Sequence, residues 1–118
     1  MIVWGKELEL YLHREPVDFR KSINGLSVIV ESTMKLNPFS GACFVFCNKG
    51  RDKLKVLYWD NTGFALWYKR LEQDKFKWPK RLPESVVTLT PAQWEWLLSG
   101  VDILQLTPHS PLYFDEVS

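Results

Sequence analysis

The chain is 118 residues long, with 46% hydrophobic and 25% charged residues, which is the composition of a single ordinary globular domain. Six Trp, four Tyr and seven Phe exclude extensive disorder. No run approaches the ~18 consecutive apolar residues of a spanning helix. The formal net charge of +1 conceals a division. Ten of the fifteen basic residues lie between Lys49 and Arg81 against four acidic ones (Asp52, Asp60, Glu72, Asp74), so that span carries +6 and the remainder −5.

Residues 1–6 read as loose, and the acids of the opening stretch break the apolar segment that a signal peptide requires. A cytoplasmic protein is therefore expected. Leu8, Leu10 and Leu12 alternate with Glu9, Tyr11 and His13, the period of a half-buried strand, and Pro16 ends it. Asp18 is a candidate N-cap. Ile23, Leu26, Val30 and Met34 recur at three- and four-residue steps and predict a helix over about 19–35, stopped by Asn37-Pro38. Gly25 and the β-branched Val28, Ile29 and Val30 weaken it, so packing must hold it.

Cys43 to Cys47 is short and continuously apolar, a strand buried on both faces. Lys53 to Trp59, Phe64 to Leu71 and Lys75 to Trp78 follow as further strands, separated by turns at 48–52, 60–63 and 72–74. Four neighbouring strands with short connections predict an antiparallel meander, and Val86 to Leu89 adds a short strand. Thr90-Pro91 opens a helix over 91–99, with Gln93 at the capping-box spacing and Gly100 as the stop. The fold class expected is α+β: an antiparallel meander sheet of four to six strands packed with helices at about 19–35 and 91–99. Residues 1–106 form one domain, and 107–118 a flexible acidic tail.

Little here has the pattern of catalysis. Asp18, Asp60 and Asp102 are explained by cap, turn and post-helix positions, and their spacing does not demand the convergence of carboxylates that a metal-dependent nuclease needs. Cys43 and Cys47 lie on one face of a strand, roughly 13 Å apart at ~3.3 Å per residue, too far for a disulfide. With His13 and His109 they have no metal-ligand spacing. No enzyme activity, cofactor or metal is expected.

Binding is the stronger reading. Lys53, Lys55, Lys69, Arg70, Lys75, Lys77, Lys80 and Arg81 can line a sheet face or rim and neutralise phosphates. Trp59, Tyr68 and Trp78 are interleaved with them and can stack on unpaired bases. The competing reading is structural: lysines protect strand edges, and alternating aromatics form core. Residues 82–118 have no Lys or Arg and five acids. Trp94 and Trp96 cannot share a helix face, so one packs inside and the other stands near the surface, where it can dock a basic partner.

The chain resembles the short accessory protein of the insertion-sequence-66 family, often labelled TnpB or the second open reading frame. The ordered segments carrying that likeness are Asp18-Phe19-Arg20-Lys21 with Gly25-Leu26, Asn37-Pro38-Phe39-Ser40-Gly41, Lys53 to Asp60, Gly63-Phe64, Tyr68-Lys69-Arg70-Leu71-Glu72, Phe76-Lys77-Trp78-Pro79 and Leu89-Thr90-Pro91-Ala92-Gln93. They span about residues 8–104. The resemblance implies a helper encoded beside a separate transposase in a bacterial mobile element; DNA and that transposase are the expected partners, a homo-oligomer is open, and the absence of a long apolar run leaves no membrane partner expected. On this reading Arg20, Lys21, Lys55, Lys69, Arg70, Lys77 and Arg81 contact phosphates or an acidic partner, and Trp59, Tyr68 and Trp78 stack. The alternative is a protein–protein adaptor without DNA affinity; a metal-dependent nuclease is the remote one.

Overall fold

The computed structural model describes residues 8–103. Their elements are β1 (Leu10–His13), α1 (Ile23–Ser32), β2 (Cys43–Cys47), β3 (Lys53–Trp59), β4 (Phe64–Arg70), β5 (Val86–Leu89) and α2 (Pro91–Leu98). The five strands form one sheet in the order β4-β3-β2-β1-β5. The tail assigned to 107–118 and the loose start lie outside the described residues.

The fold is α+β as expected, but the sheet is mixed. β2, β3 and β4 are the antiparallel meander. β1 lies parallel to β2, with Leu10 beside Cys43 and Leu12 beside Val45, because the connection between them carries α1, and parallel strands need a long crossover. β5 pairs antiparallel with the other side of β1.

Alternation along the strands sorts side chains onto two covered faces. Leu10, Leu12, Cys43, Val45, Cys47, Leu54, Val56 and Leu89 face Trp94 and Leu97 of α2, together with Phe76 and Trp78. Phe44, Phe46 and Leu57 face Leu26 and Val30 of α1. All five residues of β2 are buried, which accounts for its unbroken apolar run. Cys43 and Cys47 are free thiols on the α2 side.

Two predicted elements are corrected. The first helix spans 23–32 rather than 19–35. Asp18 is not its cap: its carboxylate accepts from the Arg20 amide (2.9 Å) and guanidinium. The Phe19 and Lys21 carbonyls accept from Lys55 Nζ at 2.9 and 2.8 Å, which ties this segment to the sheet as a turn rather than a first helical turn. The first helical bond in this stretch runs from the Leu26 amide to Ser22. At the other end Lys35 is left-handed (φ 59°), and the Leu36 amide turns back to Val30.

The fourth meander strand, Lys75 to Trp78, does not form. The Leu71 and Phe76 amides donate to Asp52 and Arg51 of the β2–β3 turn, each at 2.7 Å. The segment then passes over the α2 side of the sheet, burying Phe76 and Trp78 and exposing Lys75 and Lys77. Alternation there reports which side chains are buried, not which strand supplies hydrogen bonds.

Helix α2 forms as its sequence dictates. Thr90 Oγ1 accepts from the Gln93 amide at 3.0 Å, and Gln93 Oε1 accepts from the Thr90 amide at 2.9 Å, closing the capping box. Trp94 is the buried one of the tryptophan pair, and Trp96 is partly covered.

Candidate nucleic-acid interface

The turn between β2 and β3 is braced from within. Asn48 Oδ1 accepts from the Asp52 and Lys53 amides at 3.1 and 3.0 Å, and its Nδ2 donates to Asp52 Oδ1 at 2.7 Å. That last bond holds the Asp52 carboxyl below its usual range. A Cβ at Gly50 would stand 3.2 Å from Asp52 Oδ1, so glycine leaves room for the brace. Arg51 follows in the left-handed conformation, φ 59°.

The 75–81 loop is tied to this turn and to the end of β1. The Arg51 carbonyl takes the Phe76 amide. Trp78 Nε1 donates to the Arg14 carbonyl at 2.8 Å, and Arg14 Nε donates to the Glu84 carbonyl at 2.8 Å. Buried Phe76 and Trp78 anchor the loop, and the alternating lysines are thereby turned outward.

Two adjoining concavities result, of about 330 and 380 Å³, sharing Arg51, Trp78 and Lys80 as walls. Lys75, Lys77 and Arg81 complete the basic lining of the first, with Asp102 its one acid. Arg14 and Lys49 do the same for the second, with Glu15 opposed to them. Arg14 pairs with Glu15 at 3.1 Å. Among the described residues, Lys49, Arg51, Lys75, Lys77, Lys80 and Arg81 enter no ion pair. Such a cluster concentrates positive potential in a concave, low-dielectric setting, where it attracts anions most strongly.

Of the cations singled out in the sequence, Lys75, Lys77, Lys80 and Arg81 belong to this surface. The others fall elsewhere. Arg20 and Lys21 precede α1 on the opposite side of the sheet, with Arg20 closed on Asp18. Arg70 lies on that side too, opposite Lys53, and pairs with Glu72 at 2.8 Å. Lys69 stands on β4 opposite Leu54, on the α2 side. Lys55 is buried, 6% exposed. Its ammonium bonds two carbonyls and lies 4.7 Å from the centre of the Phe19 ring. Desolvation pushes its pKa down. It is a structural cation with little surface left for a phosphate.

The aromatics divide as well. Trp78 is core, 6% exposed, with its donor used, and cannot stack on a base. Trp59 packs edge-on against Phe39 and Phe64 with centroids 5.2 and 5.1 Å apart. Tyr68 is about half exposed and meets Phe19 edge-on; it alone of the three presents an open face. Arg51 and Lys49 were missed as site residues. The signal for both was the run Asn48-Lys49-Gly50-Arg51-Asp52, a bracketed hairpin turn carrying two cations.

No group of three or more His, Cys, Asp or Glu residues among the described ones is placed to hold a metal, and no described helix is long and apolar enough to cross a membrane. Fold and site together define a small α+β protein whose outstanding chemical feature is a basic cleft. The family model for the IS66 Orf2-like protein matches residues 8–108, and the chain belongs to that family of insertion-sequence proteins. Two relatives from Sinorhizobium fredii (strain NBRC 101917 / NGR234) are similar over 102 residues. The uncharacterized protein y4jC is 35% identical, covering 86% of each chain. The uncharacterized protein y4hO is 33% identical, covering 86% of this chain and 88% of its own. No solved structure matches.

Proposed function

We propose that this chain assists transposition of its element without catalysing a reaction itself, by holding DNA against the cleft formed by the β2–β3 turn and the 75–81 loop. The observation that carries this reading is the gathering of six cations, none in an ion pair among the described residues, around two adjoining concavities. Unneutralised cations clustered this closely repel one another, an arrangement that a polyanionic partner relieves. The mobile-element family supplies the context in which that partner is DNA.

The test is a mobility shift of a labelled element end across a salt series. Binding is expected, with log K falling against log salt at a slope of about −4 to −5 if six phosphates are neutralised. Lys77→Glu/Arg81→Glu abolishes it, whereas Lys69→Glu/Arg70→Glu on β4 weakens it far less. Absence of any shift at low salt refutes the reading. Co-purification of the transposase would then favour the adaptor reading, for which the exposed Phe39 beside Trp59 and Phe64 is the surface to mutate.

A further inference from the structure

The backbone of Arg51 serves its turn, its amide donating to the Asn48 carbonyl at 3.1 Å and its carbonyl accepting from Phe76, but its side chain has no such structural partner among the described residues. Its backbone is left-handed, a conformation that favours glycine or asparagine. The neighbouring glycine, Gly50, does not occupy that conformation. Its Nε is buried and has no hydrogen-bond partner among the described residues. The remainder of the guanidinium is not among the buried atoms, and the residue walls both concavities. Lys35 and Asn61 are left-handed too; what sets Arg51 apart is that a buried donor without a partner coincides with that backbone at the wall of both concavities, and such a coincidence calls for a ligand-based explanation. The guanidinium fork matches one ligand chemistry above others, an oxoanion bound through two parallel N–H bonds.

We infer that Arg51 is the anchor of a phosphate site for an unpaired DNA strand: one phosphodiester sits on its guanidinium between the two concavities, and the flanking lysines hold the phosphates on either side. A small rotation of the side chain brings the Nε–H edge onto the phosphate and satisfies the orphaned donor. The inference rests on the DNA reading above and adds the form of DNA. A duplex carries its phosphates on a stiff cylinder that meets the rim lysines, Lys77 and Lys80, before it reaches a sunken arginine. A single strand is flexible enough to lower a phosphate between them, as strands do in basic grooves that track the backbone.

The experiment is fluorescence anisotropy with a labelled 15-nucleotide strand and the matching duplex at equal salt. Wild-type protein is expected to prefer the strand by about tenfold, the equivalent of one bidentate contact. Arg51→Lys, which keeps the charge and loses the fork, removes that preference. Arg51→Gly removes it too while its thermal midpoint stays level or rises, because glycine relieves the left-handed backbone; unfolding therefore does not explain the loss. Equal affinity for strand and duplex, or a preference that survives Arg51→Lys, overturns the inference while leaving the DNA reading intact. No binding of either DNA overturns both. Displacement of the strand by millimolar inorganic phosphate shows a site for the free anion instead, and also overturns it.

Discussion

Lys55 shows why residue type alone misleads. In an alternating strand a lysine reads as solvent-facing, yet here its ammonium ties the 18–22 turn to the sheet through two carbonyls. Lys55→Met leaves those carbonyls without their donor and is expected to cost about 1–3 kcal/mol in urea denaturation. The pH dependence has a definite sign. Burial lowers the folded pKa, so just below the ordinary lysine value the unfolded chain binds more protons. Stability therefore gains from this group as pH rises through that window. Tyr11, hydrogen-bonded to Glu9, and Tyr58, desolvated, have raised pKa values, as do the two buried thiols, and all act oppositely once the pH passes their ordinary values. The lysine contribution is accordingly read as the difference between wild type and Lys55→Met. The two cysteines offer a second residue-scale check. Burial pushes both thiols up to about 12, so neither should react with a disulfide reagent at pH 8 in the native protein, and both should react in urea.

At the scale of elements, what was legible in the sequence was local. Thr90, Pro91 and Gln93 specify the start of α2 within one turn of chain, and Thr90→Ala should cost about 1 kcal/mol of thermal or urea stability. The five apolar residues of β2 and the alternation of β3 were readable for the same reason. The start of α1 was not, because the contacts that displace it join Lys55 to carbonyls 34 and 36 residues away. The parallel β1–β2 pair was missed because hydrophobic period reports burial, not strand direction. The basic cleft was half legible: Lys75, Lys77, Lys80 and Arg81 follow from charge density, but Arg51 enters only through the Asn48 brace and its link to Phe76. The Trp78 anchor leads to a further prediction. Trp78→Phe keeps the buried ring and loses the bond to the Arg14 carbonyl, at a cost of about 1 kcal/mol. DNA affinity should fall measurably by anisotropy although no cation is removed, because the loop presenting Lys75, Lys77 and Arg81 is less firmly held.

At the scale of the whole molecule the chain closes on itself. β1 has only four residues, yet it joins β2 on one side to β5 on the other, with Leu10 beside both Cys43 and Leu89. β5 leads directly into α2, whose Trp94 and Leu97 are fully buried against strands from early in the chain, with Trp94 meeting the Trp67 ring edge-on at 6.1 Å. Losing one large buried side chain costs about 3–5 kcal/mol, and a domain of this size has about 5–15 kcal/mol to lose. A chain stopped at residue 85 would forfeit Leu89, Trp94, Leu97 and Ile103 from one core cluster and leave β1 as an exposed edge. It should therefore show no cooperative urea transition. A truncated chain that still unfolds cooperatively would mean that the meander and α1 suffice as a folding unit. Hydrogen exchange in the intact protein tests the same point from inside: amides of β2, paired on both sides, should be the slowest. The outward amides of β4 and β5, at the two sheet edges, should be the fastest of the strand residues. Protection in β1 should match β2 rather than β4, because β1 opens only when β5 and α2 leave with it.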